Sequence, residues 1–314
     1  MTDFVDEHLS ILVGDCRSRL GDIPDSSIDA IITSPPYWGL RDYGNESQIG
    51  LEETPEEYVA QMVEIFRIAR RVLRDDGTLW INLGDSYSGA GKNSNANFNE
   101  RYGKSPGKRK QEQSKIQINK SKRCGLSPKN LVGIPWRVAF ALQEDGWILR
   151  SEIIWAKPNP MPESVEDRPT RAHEQIFLFA KSPVYFYDAE SIQERAITAG
   201  DNRGSRTDNR RGLGYNARAQ GTNITNEFRN KRTVWTIPTQ PYNGAHFAAF
   251  PEDLVEPCIL AGSRIGGVVL DPFGGSGTTG LVANRLGRKA ILIELNEDYV
   301  DQIKKRTAQA PLGI

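Results

Sequence analysis

The sequence predicts an α/β fold whose mostly parallel sheet is covered by helices on both faces. Short apolar segments alternate with amphipathic helical segments along most of the 314 residues, and this alternation is typical of a parallel sheet. A glycine-rich turn also links an apolar strand to a helix at 268–280, as ligand-binding turns of such sheets do. Two long basic stretches without clear periodicity interrupt the pattern and are predicted to be loops.

In the N-terminal half, polar residues, glycine or proline mark the ends of the predicted elements. Ser10–Val13 and Ile28–Thr33 are apolar strands. Thr54–Glu57 has the pattern of a capping box with proline at the first helical position, and apolar residues then recur at helical spacing as far as Leu73. Asp75–Gly77 is expected to stop this helix. The later elements are a strand at Thr78–Leu83, a helix at Leu131–Leu142, and strands at Trp147–Trp155, Gln175–Ala180 and Val184–Tyr187.

The C-terminal half contains the glycine-rich turn but too little chain after it for a complete sheet. Only 20 residues follow Glu294, which is enough for one helix. The remaining strands must therefore come from upstream sequence, and the order of motifs is permuted relative to a dinucleotide-binding domain, which argues against a dehydrogenase. The elements here are helices at Pro251–Leu260, Thr278–Leu286 and Asn296–Arg306, and strands at Val268–Leu270 and Ala290–Ile293.

Charge is balanced overall but unevenly distributed. The chain has 40 Lys and Arg against 40 Asp and Glu. Residues 91–130 hold eleven basic and two acidic residues, and residues 195–232 hold nine basic and three acidic ones. One such run would ordinarily be a solvated linker, but two within an enzyme-like chain favour a polyanionic partner.

Cysteine usage and hydropathy exclude several classes of protein. Cys16, Cys124 and Cys258 lie far apart, without a CxxC pair, which argues against a disulfide framework or a zinc site. No apolar run approaches the length of a membrane span, and the N-terminus lacks the pattern of a signal peptide. We therefore expect a cytoplasmic protein without a bound metal.

The glycine-rich turn predicts a site for a nucleoside cofactor. Gly275, Gly277 and Gly280 fit the spacing GxGxxG, and Glu294 ends the next strand, 19 residues after Gly275. Glycines let the backbone approach a ligand, and an acid at this distance can accept hydrogen bonds from ribose hydroxyls. A tight structural turn would explain the glycines but not Glu294. A P-loop is excluded because no Lys-Ser or Lys-Thr pair follows the glycines.

Asp15 also ends a strand, and two interpretations of it stay open. It could accept a hydrogen bond from an adenine amino group, since ligands lie at the carboxyl ends of such strands. It could equally be a helix N-cap, which is common for Asp after a strand.

The segment Ser34-Pro35-Pro36-Tyr37, with Trp38, closes a buried strand and favours chemistry on an amino group. The exocyclic amino nitrogen of a base is a poor nucleophile because its lone pair is delocalised into the ring. Acceptors that hold both amino hydrogens, such as the Ser34 hydroxyl and the Pro35 carbonyl, would pull that nitrogen towards sp³ character. Tyr37 could stack on an extruded base. A proline turn with core aromatics is the structural alternative.

Together these motifs resemble those of the amino-directed DNA methyltransferases. Ser34–Tyr37 matches the family's Asp/Asn/Ser-Pro-Pro-aromatic motif, and Asp271–Thr279 matches its cofactor motif. His246, Phe250 and Pro251 match the segment that precedes the cofactor strand, where Phe247 departs from the pattern. The catalytic half comes first, as in the β class of the family.

The resemblance implies a Rossmann-like methyltransferase fold with a seven-stranded sheet, and S-adenosylmethionine as cofactor without a metal. The catalytic domain would comprise 1–189 and 236–314, with a basic loop insertion at 88–130 and a target-recognition region at 190–235. The residues implied for catalysis are Ser34, Pro35, Pro36 and Tyr37. Those implied for the cofactor are Asp15, His246, Asp271, Phe273, Gly275, Ser276, Gly277, Thr278, Thr279 and Glu294. Cys258, by contrast, is predicted to be a small core residue.

The implied reaction is methylation of an exocyclic amino nitrogen on a base flipped from double-stranded DNA. The motif Thr-Ser-Pro-Pro-Tyr favours N4 of cytosine slightly over N6 of adenine, which stays an alternative. A non-catalytic nucleotide-dependent DNA-binding protein and an RNA or small-molecule methyltransferase are remoter ones. A homodimer, a cognate restriction endonuclease and a bacterial or phage source would fit the resemblance. The residues expected at the DNA are Arg203, Arg206, Arg210, Arg211 and Arg218, suited to guanine edges, and Lys104, Lys108, Arg109 and Lys110, suited to phosphates.

Overall fold

The structure is a computed structural model that describes residues 3–40, 47–89, 124–196, 227–240 and 251–307. Its strands are β1 (Phe4–Val5), β2 (Leu9–Val13), β3 (Ile28–Thr33), β4 (Leu73–Leu83), β5 (Ile148–Ala156), β6 (His173–Ala180), β7 (Glu194–Arg195), β8 (Phe228–Arg229), β9 (Val234–Thr236), β10 (Val268–Asp271) and β11 (Lys289–Glu294). Its α-helices are α1 (Cys16–Arg19), α2 (Pro55–Val72), α3 (Ile134–Glu144), α4 (Glu252–Gly262), α5 (Thr278–Arg285) and α6 (Glu297–Thr307).

Nine of the described strands form one sheet, in the order β1-β2-β11-β10-β3-β4-β6-β5-β9. The five strands from β2 to β4 in this order are mutually parallel, and β6 is antiparallel to both of its neighbours. The seven inner strands, from β2 to β5 in this order, form the mostly parallel sheet that the sequence predicts. The short edge strands β1 and β9 were not predicted, because two or three residues carry no periodicity that could be read.

The two halves of the chain, whose motifs are in permuted order, meet at the centre of the sheet. β10 pairs in parallel with β3, where Val269 lies opposite Ala30 and Leu270 opposite Ile31. The C-terminal half therefore completes a sheet that the N-terminal half begins.

Apolar residues on the two faces of this sheet form two cores. On β3, Ile31 packs into the core under α2 and α3, while Ala30 and Ile32 pack into the core under α4, α5 and α6. A strand that is buried on both faces appears in the sequence as a nearly continuous apolar run, which makes its ends easy to locate. The predicted bounds of β3 are therefore confirmed. The predicted capping box of α2 is also present, since Thr54 Oγ1 accepts from the Glu57 N–H at 3.2 Å.

The expectation that Asp75–Gly77 stops α2 is wrong. The helix ends at Val72, β4 begins at Leu73, and the residues between Leu73 and Thr78 form a bulge opposite β3. Gly77 is needed there, because a Cβ atom on it would lie 2.6 Å from Leu73 Cδ1 and 2.9 Å from the Asp29 carbonyl oxygen.

The predicted strand at Val184–Tyr187 is also wrong, since this segment has no strand pairing. Its aromatic residues pack instead of pairing. The Tyr187 ring stacks on Trp80 at a centroid distance of 6.4 Å, and the Phe186 N–H donates to the Asp76 carbonyl oxygen. The three consecutive aromatic residues Tyr185–Tyr187 thus make ring contacts and do not form a sheet ladder.

We predict that Gly77→Ala destabilises the fold by about 1–3 kcal/mol, because the added methyl group overpacks the bulge. Gly21→Ala is the matched control, because a Cβ atom at Gly21 meets nothing within 4 Å. Urea unfolding monitored by circular dichroism measures both. Equal unfolding midpoints for the two variants would contradict the described packing of the bulge.

Candidate functional site

A cleft of about 730 Å³ opens at the carboxyl ends of the central parallel strands. The chain leaves β10 towards β11 and leaves β3 towards β4, so the direction of winding reverses between β10 and β3. Ligands of open α/β sheets bind at such a reversal.

Both predicted motifs reach this cleft, but not every predicted residue faces it. Asp271, Gly277 and Thr279 lie outside its lining, and His246 lies outside the described residues. The predicted residues that line it are Asp15, Ser34, Pro35, Pro36, Tyr37, Phe273, Gly275, Ser276, Thr278 and Glu294.

Asp271 lies under the cleft and joins the two motifs. Its Oδ1 accepts from Thr33 Oγ1 at 2.6 Å and from the Phe273 N–H at 3.0 Å, while its Oδ2 accepts from Thr279 Oγ1 at 2.7 Å. Thr33 is the residue before Ser34, so this carboxyl group connects the end of β3 to the glycine-rich turn. Burial raises the pKa of Asp271 to about 7, against the opposing effect of these hydrogen bonds.

Glu294 shapes the cofactor side of the cleft. Its carboxylate accepts from the Gly275 N–H at 2.7 Å and from the Asn296 N–H at 2.9 Å. The side chain is buried, and this burial raises its pKa to about 7. The predicted acid therefore faces the predicted glycine turn and holds its backbone in place.

The other residues of the turn divide between the cleft and the core. Gly277 has a φ of +76°, and a Cβ atom on it would lie 2.7 Å from Ile303 Cγ2 in the core. Gly277 therefore allows α6 to pack against the turn. Ser276 and Thr278 line the cleft, and their hydroxyl oxygens accept from Arg306 Nη1 of α6 at 3.0 and 2.9 Å.

Asp15 is the N-cap of α1. Its carboxylate accepts from the Arg17 N–H at 2.9 Å and forms an ion pair with the Arg17 guanidinium. The hydrogen bonds from Arg17 hold the pKa of Asp15 below its ordinary value, although partial burial opposes them. The capping interpretation is thus observed, and the carboxylate also lines the cleft.

On the other side of the cleft, Tyr37 is held by a polar cluster. Its hydroxyl donates to Glu174 Oε2 at 2.7 Å and accepts from Asn82 Nδ2 at 2.7 Å. The Ser34 hydroxyl is more loosely placed, 3.5 Å from Tyr37 Oη and 3.4 Å from Asn82 Nδ2. Burial, reinforced by the Glu174 charge, raises the pKa of Tyr37 well above its ordinary value, so its hydroxyl stays protonated.

Glycine at position 84 makes room for the Tyr37 ring. A Cβ atom on Gly84 would lie 2.3 Å from Tyr37 Cε2. The ring therefore rests directly on the backbone that follows β4, which fixes it as one wall of the cleft.

The two prolines differ in what their carbonyl groups contact. The Pro36 carbonyl accepts from the buried Tyr58 hydroxyl at 2.9 Å. Among the described residues, no donor contacts the Pro35 carbonyl. Within the described residues, the Pro35 carbonyl thus keeps both of its lone pairs for a ligand, whereas the Pro36 carbonyl uses one of its two.

Lys157 and Glu174 were not predicted as functional residues. Lys157 Nζ forms an ion pair with Glu174 Oε1 and lies 4.1 Å from the centroid of the Trp155 ring. Both charged side chains line the cleft, as does Asn82 at the end of β4. The rule that ligands meet strand ends could have identified them, but their strand order could not be read from the sequence.

Several predictions concern residues outside this site. The residues expected at the DNA all lie outside the described residues; they are Arg203, Arg206, Arg210, Arg211, Arg218, Lys104, Lys108, Arg109 and Lys110.

Cys258 is buried in the core, as predicted, and its thiol donates to the Leu254 carbonyl oxygen at 3.3 Å. Within the described ranges, no helix is both long and apolar enough to cross a membrane.

Comparison with known proteins agrees with this geometry. The model of the N6/N4 methyltransferase family, a family of DNA methylases, matches residues 28–305. The chain is 47% identical over 296 residues to the Type II methyltransferase M.SmaI of Serratia marcescens, covering 94% of this chain and 89% of that protein. It is 46% identical over 292 residues to M.Cfr9I of Citrobacter freundii, covering 93% and 85%.

Solved structures share the fold at lower sequence identity. The cytosine-N4-specific PvuII DNA methyltransferase superposes with a TM-score of 0.62 at 21% identity, covering 96% of this chain and 87% of that one. The Thermus thermophilus protein TTHA0409, complexed with S-adenosyl-L-methionine, gives a TM-score of 0.59 at 23% identity, covering 97% and 95%. With the family match over most of its length, the chain belongs to the N6/N4 family of DNA methylases.

Proposed function

We propose that this methyltransferase transfers a methyl group from S-adenosylmethionine to the exocyclic amino nitrogen of a base flipped out of duplex DNA, with N4 of cytosine the favoured target. The observation that carries the proposal is that the glycine turn after β10 and Ser34–Tyr37 after β3 line one cleft. The two strands are hydrogen-bonded neighbours. A nucleoside cofactor and an amino-bearing base would therefore meet at this point.

The residues on the glycine-turn side fit S-adenosylmethionine. Each oxygen of the Glu294 carboxylate accepts one hydrogen bond from the described residues, so each has a lone pair left for a ribose hydroxyl. The Asp15 carboxylate offers an acceptor for the adenine amino group, and Phe273 offers an apolar surface to the cleft. Bound there, S-adenosylmethionine would supply an electrophilic methyl group on a sulfonium centre. The T. thermophilus relative solved with this cofactor supports the assignment.

On the other side, the chain's own residues would position the base. The Ser34 hydroxyl and the Pro35 carbonyl would accept the two amino hydrogens and direct the nitrogen lone pair towards β10. The Tyr37 ring, fixed by Glu174, Asn82 and Gly84, would stack on the base. Positioning of this kind can supply a large part of the rate enhancement, and the amino proton would leave after the nitrogen becomes cationic.

The choice of cytosine rests on the motif and on one solved relative. Thr33-Ser34-Pro35-Pro36-Tyr37 resembles the motif of N4-cytosine enzymes, and the PvuII enzyme is cytosine-N4-specific. N6 of adenine is the alternative target. The Type II methyltransferases among the relatives support a place in a restriction-modification system. We propose that residues 190–235 read the DNA sequence and that 88–130 contact phosphates; a homodimer and a partner endonuclease stay predictions.

We predict that expression in a host without DNA methylation places N4-methylcytosine at one short recognition sequence. Single-molecule sequencing that detects modified bases, with mass spectrometry of the nucleosides, makes the measurement. A variant with Ser34→Ala and Tyr37→Ala together is the inactive control. N6-methyladenine instead would keep the reaction class and change the base, while unmodified DNA from a folded, expressed protein would contradict the proposal.

We predict that variants on the two sides of the cleft separate cofactor binding from methyl transfer. Glu294→Gln should weaken S-adenosylmethionine binding roughly tenfold or more, because hydrogen bonds to a charged group contribute about 1.5–3 kcal/mol. Because the pKa of Glu294 is raised to about 7, wild-type affinity should rise as pH increases through 7, and the variant should lose this dependence. Ser34→Ala should keep the wild-type affinity and lower the transfer rate.

Isothermal calorimetry from pH 6 to 8 and single-turnover methylation measure the two effects. Glu297→Gln is the matched control, since Glu297 is exposed and lies outside the cleft lining. Wild-type affinity in a folded Glu294→Gln variant would remove Glu294 from the cofactor site. A wild-type rate in Ser34→Ala would show that the Pro35 carbonyl suffices.

A further inference from the structure

On the side of the cleft that contains Ser34 and Tyr37, here called the target side, a row of polar groups runs from the end of β3 to the end of β5. It begins at the Ser34 hydroxyl, continues through Tyr37 Oη and the Glu174 carboxylate, and ends at the Lys157 ammonium. Each group contacts the next, and β4 and β6 lie between β3 and β5 in the sheet. The proposed reaction uses the beginning of this row and leaves Lys157 unexplained.

Lys157 is held in place but keeps donors for a ligand. Its side chain is 16% exposed, its ammonium lies over the Trp155 ring, and Glu174 neutralises its charge. Within the described residues the ammonium donates one hydrogen bond, to Glu174. An ammonium group has three N–H donors, so two of them have no acceptor among these residues.

The order of the strands fixes which end of a bound base faces Lys157. The amino group must lie at Ser34, next to β10 and the cofactor side. The rest of the Watson–Crick edge then extends along the row towards β6 and β5. In cytosine this edge continues with the acceptors N3 and O2, whereas in adenine it continues with N1 and an apolar C2–H.

We propose that Lys157 donates a hydrogen bond to the O2 carbonyl of the flipped cytosine and thereby distinguishes cytosine from adenine. This inference rests on the proposed function. Glu174 and Trp155 act as positioning residues, since they hold the ammonium at the far end of the row. With adenine bound, the Lys157 donor would face the apolar C2–H and would have no acceptor there. A buried donor without an acceptor costs free energy, so the site disfavours adenine.

The test is a double-mutant cycle that combines a substitution at Lys157 with the removal of O2 from the target base. The substrate duplex carries at its target position either cytosine or the C-nucleoside of 2-aminopyridine, which keeps the amino group and the adjacent ring nitrogen but lacks O2. Single-turnover kcat/KM is measured for wild type and Lys157→Met with both duplexes. We expect wild type to lose roughly 10- to 100-fold on the analogue, the effect of losing a charged hydrogen bond, and Lys157→Met to be equally slow on both.

Two further variants control the cycle. Lys157→Arg keeps a donor and should retain part of the discrimination against the analogue. Lys304→Met removes a lysine that is paired with Asp301 and lies outside the cleft lining, and it should behave as wild type. Calorimetry with S-adenosylmethionine checks that each variant is folded.

The outcomes separate this inference from the proposed function. If the free-energy losses from the two changes simply add, Lys157→Met discriminates against the analogue as strongly as wild type does. That result would overturn the inference and leave the methyltransferase activity intact. Methylation of adenine by wild type would also overturn it, while keeping the reaction class. Absence of any DNA methylation by folded wild-type protein would overturn both.

Discussion

The hydrogen bonds that Asp271 accepts from Thr33 and Thr279 are the interaction on which the site depends. Thr33 ends β3 and Thr279 lies in the first turn of α5, so one buried carboxyl group connects two segments that are more than 230 residues apart in sequence. Because burial raises the pKa of Asp271 to about 7, its ionisation opposes folding as pH rises from about 4 to about 7, and its stabilising effect is lost above that range. The three donors around it reduce this cost.

This connection divides the cleft into two sides that bind in different ways. On one side, the backbone of the glycine turn is fixed by Glu294, and α6 packs closely because Gly277 has no side chain. On the other side, side chains from several strand ends form a row of polar groups beside Tyr37. In the proposed reaction, a rigid sheet holds a flexible cofactor and an extruded base in one geometry, and such preorganisation is what amino-group methylation requires.

Much of the fold and of the site could be predicted from the sequence because strand ends carried distinctive residues. β3 has the predicted bounds, and Ser34–Tyr37, Gly275 and Glu294 all face the cleft as expected. The sequence did not show which face of a turn each residue occupies. Gly277 was expected at the cofactor, and the structure adds that a Cβ atom at this position would point at Ile303 in the core.

Other features depend on tertiary pairing, which local sequence does not determine. The bulge between Leu73 and Thr78 is defined by the register between β3 and β4, not by a helix stop at Asp75–Gly77. Lys157 and Glu174 became recognisable only when the antiparallel pairing of β5 with β6 placed them next to Tyr37. Asp15 could not be assigned from the sequence, because an N-cap and a ligand acceptor require the same residue at the same strand end.

The most direct measurement of the central claim is single-turnover methyl transfer by Thr33→Val, with S-adenosylmethionine and DNA both saturating. This variant keeps the shape of the buried side chain and removes its hydrogen bond to Asp271. If that bond aligns the two sides of the cleft, the transfer rate should fall roughly tenfold to a hundredfold, because small misplacements of reactants cost this much. The affinities for cofactor and DNA should stay near wild type. Thr307→Val, at another buried threonine whose hydroxyl donates, among the described residues, only to carbonyl groups of α6, should keep the wild-type rate. A wild-type rate in Thr33→Val would contradict the account.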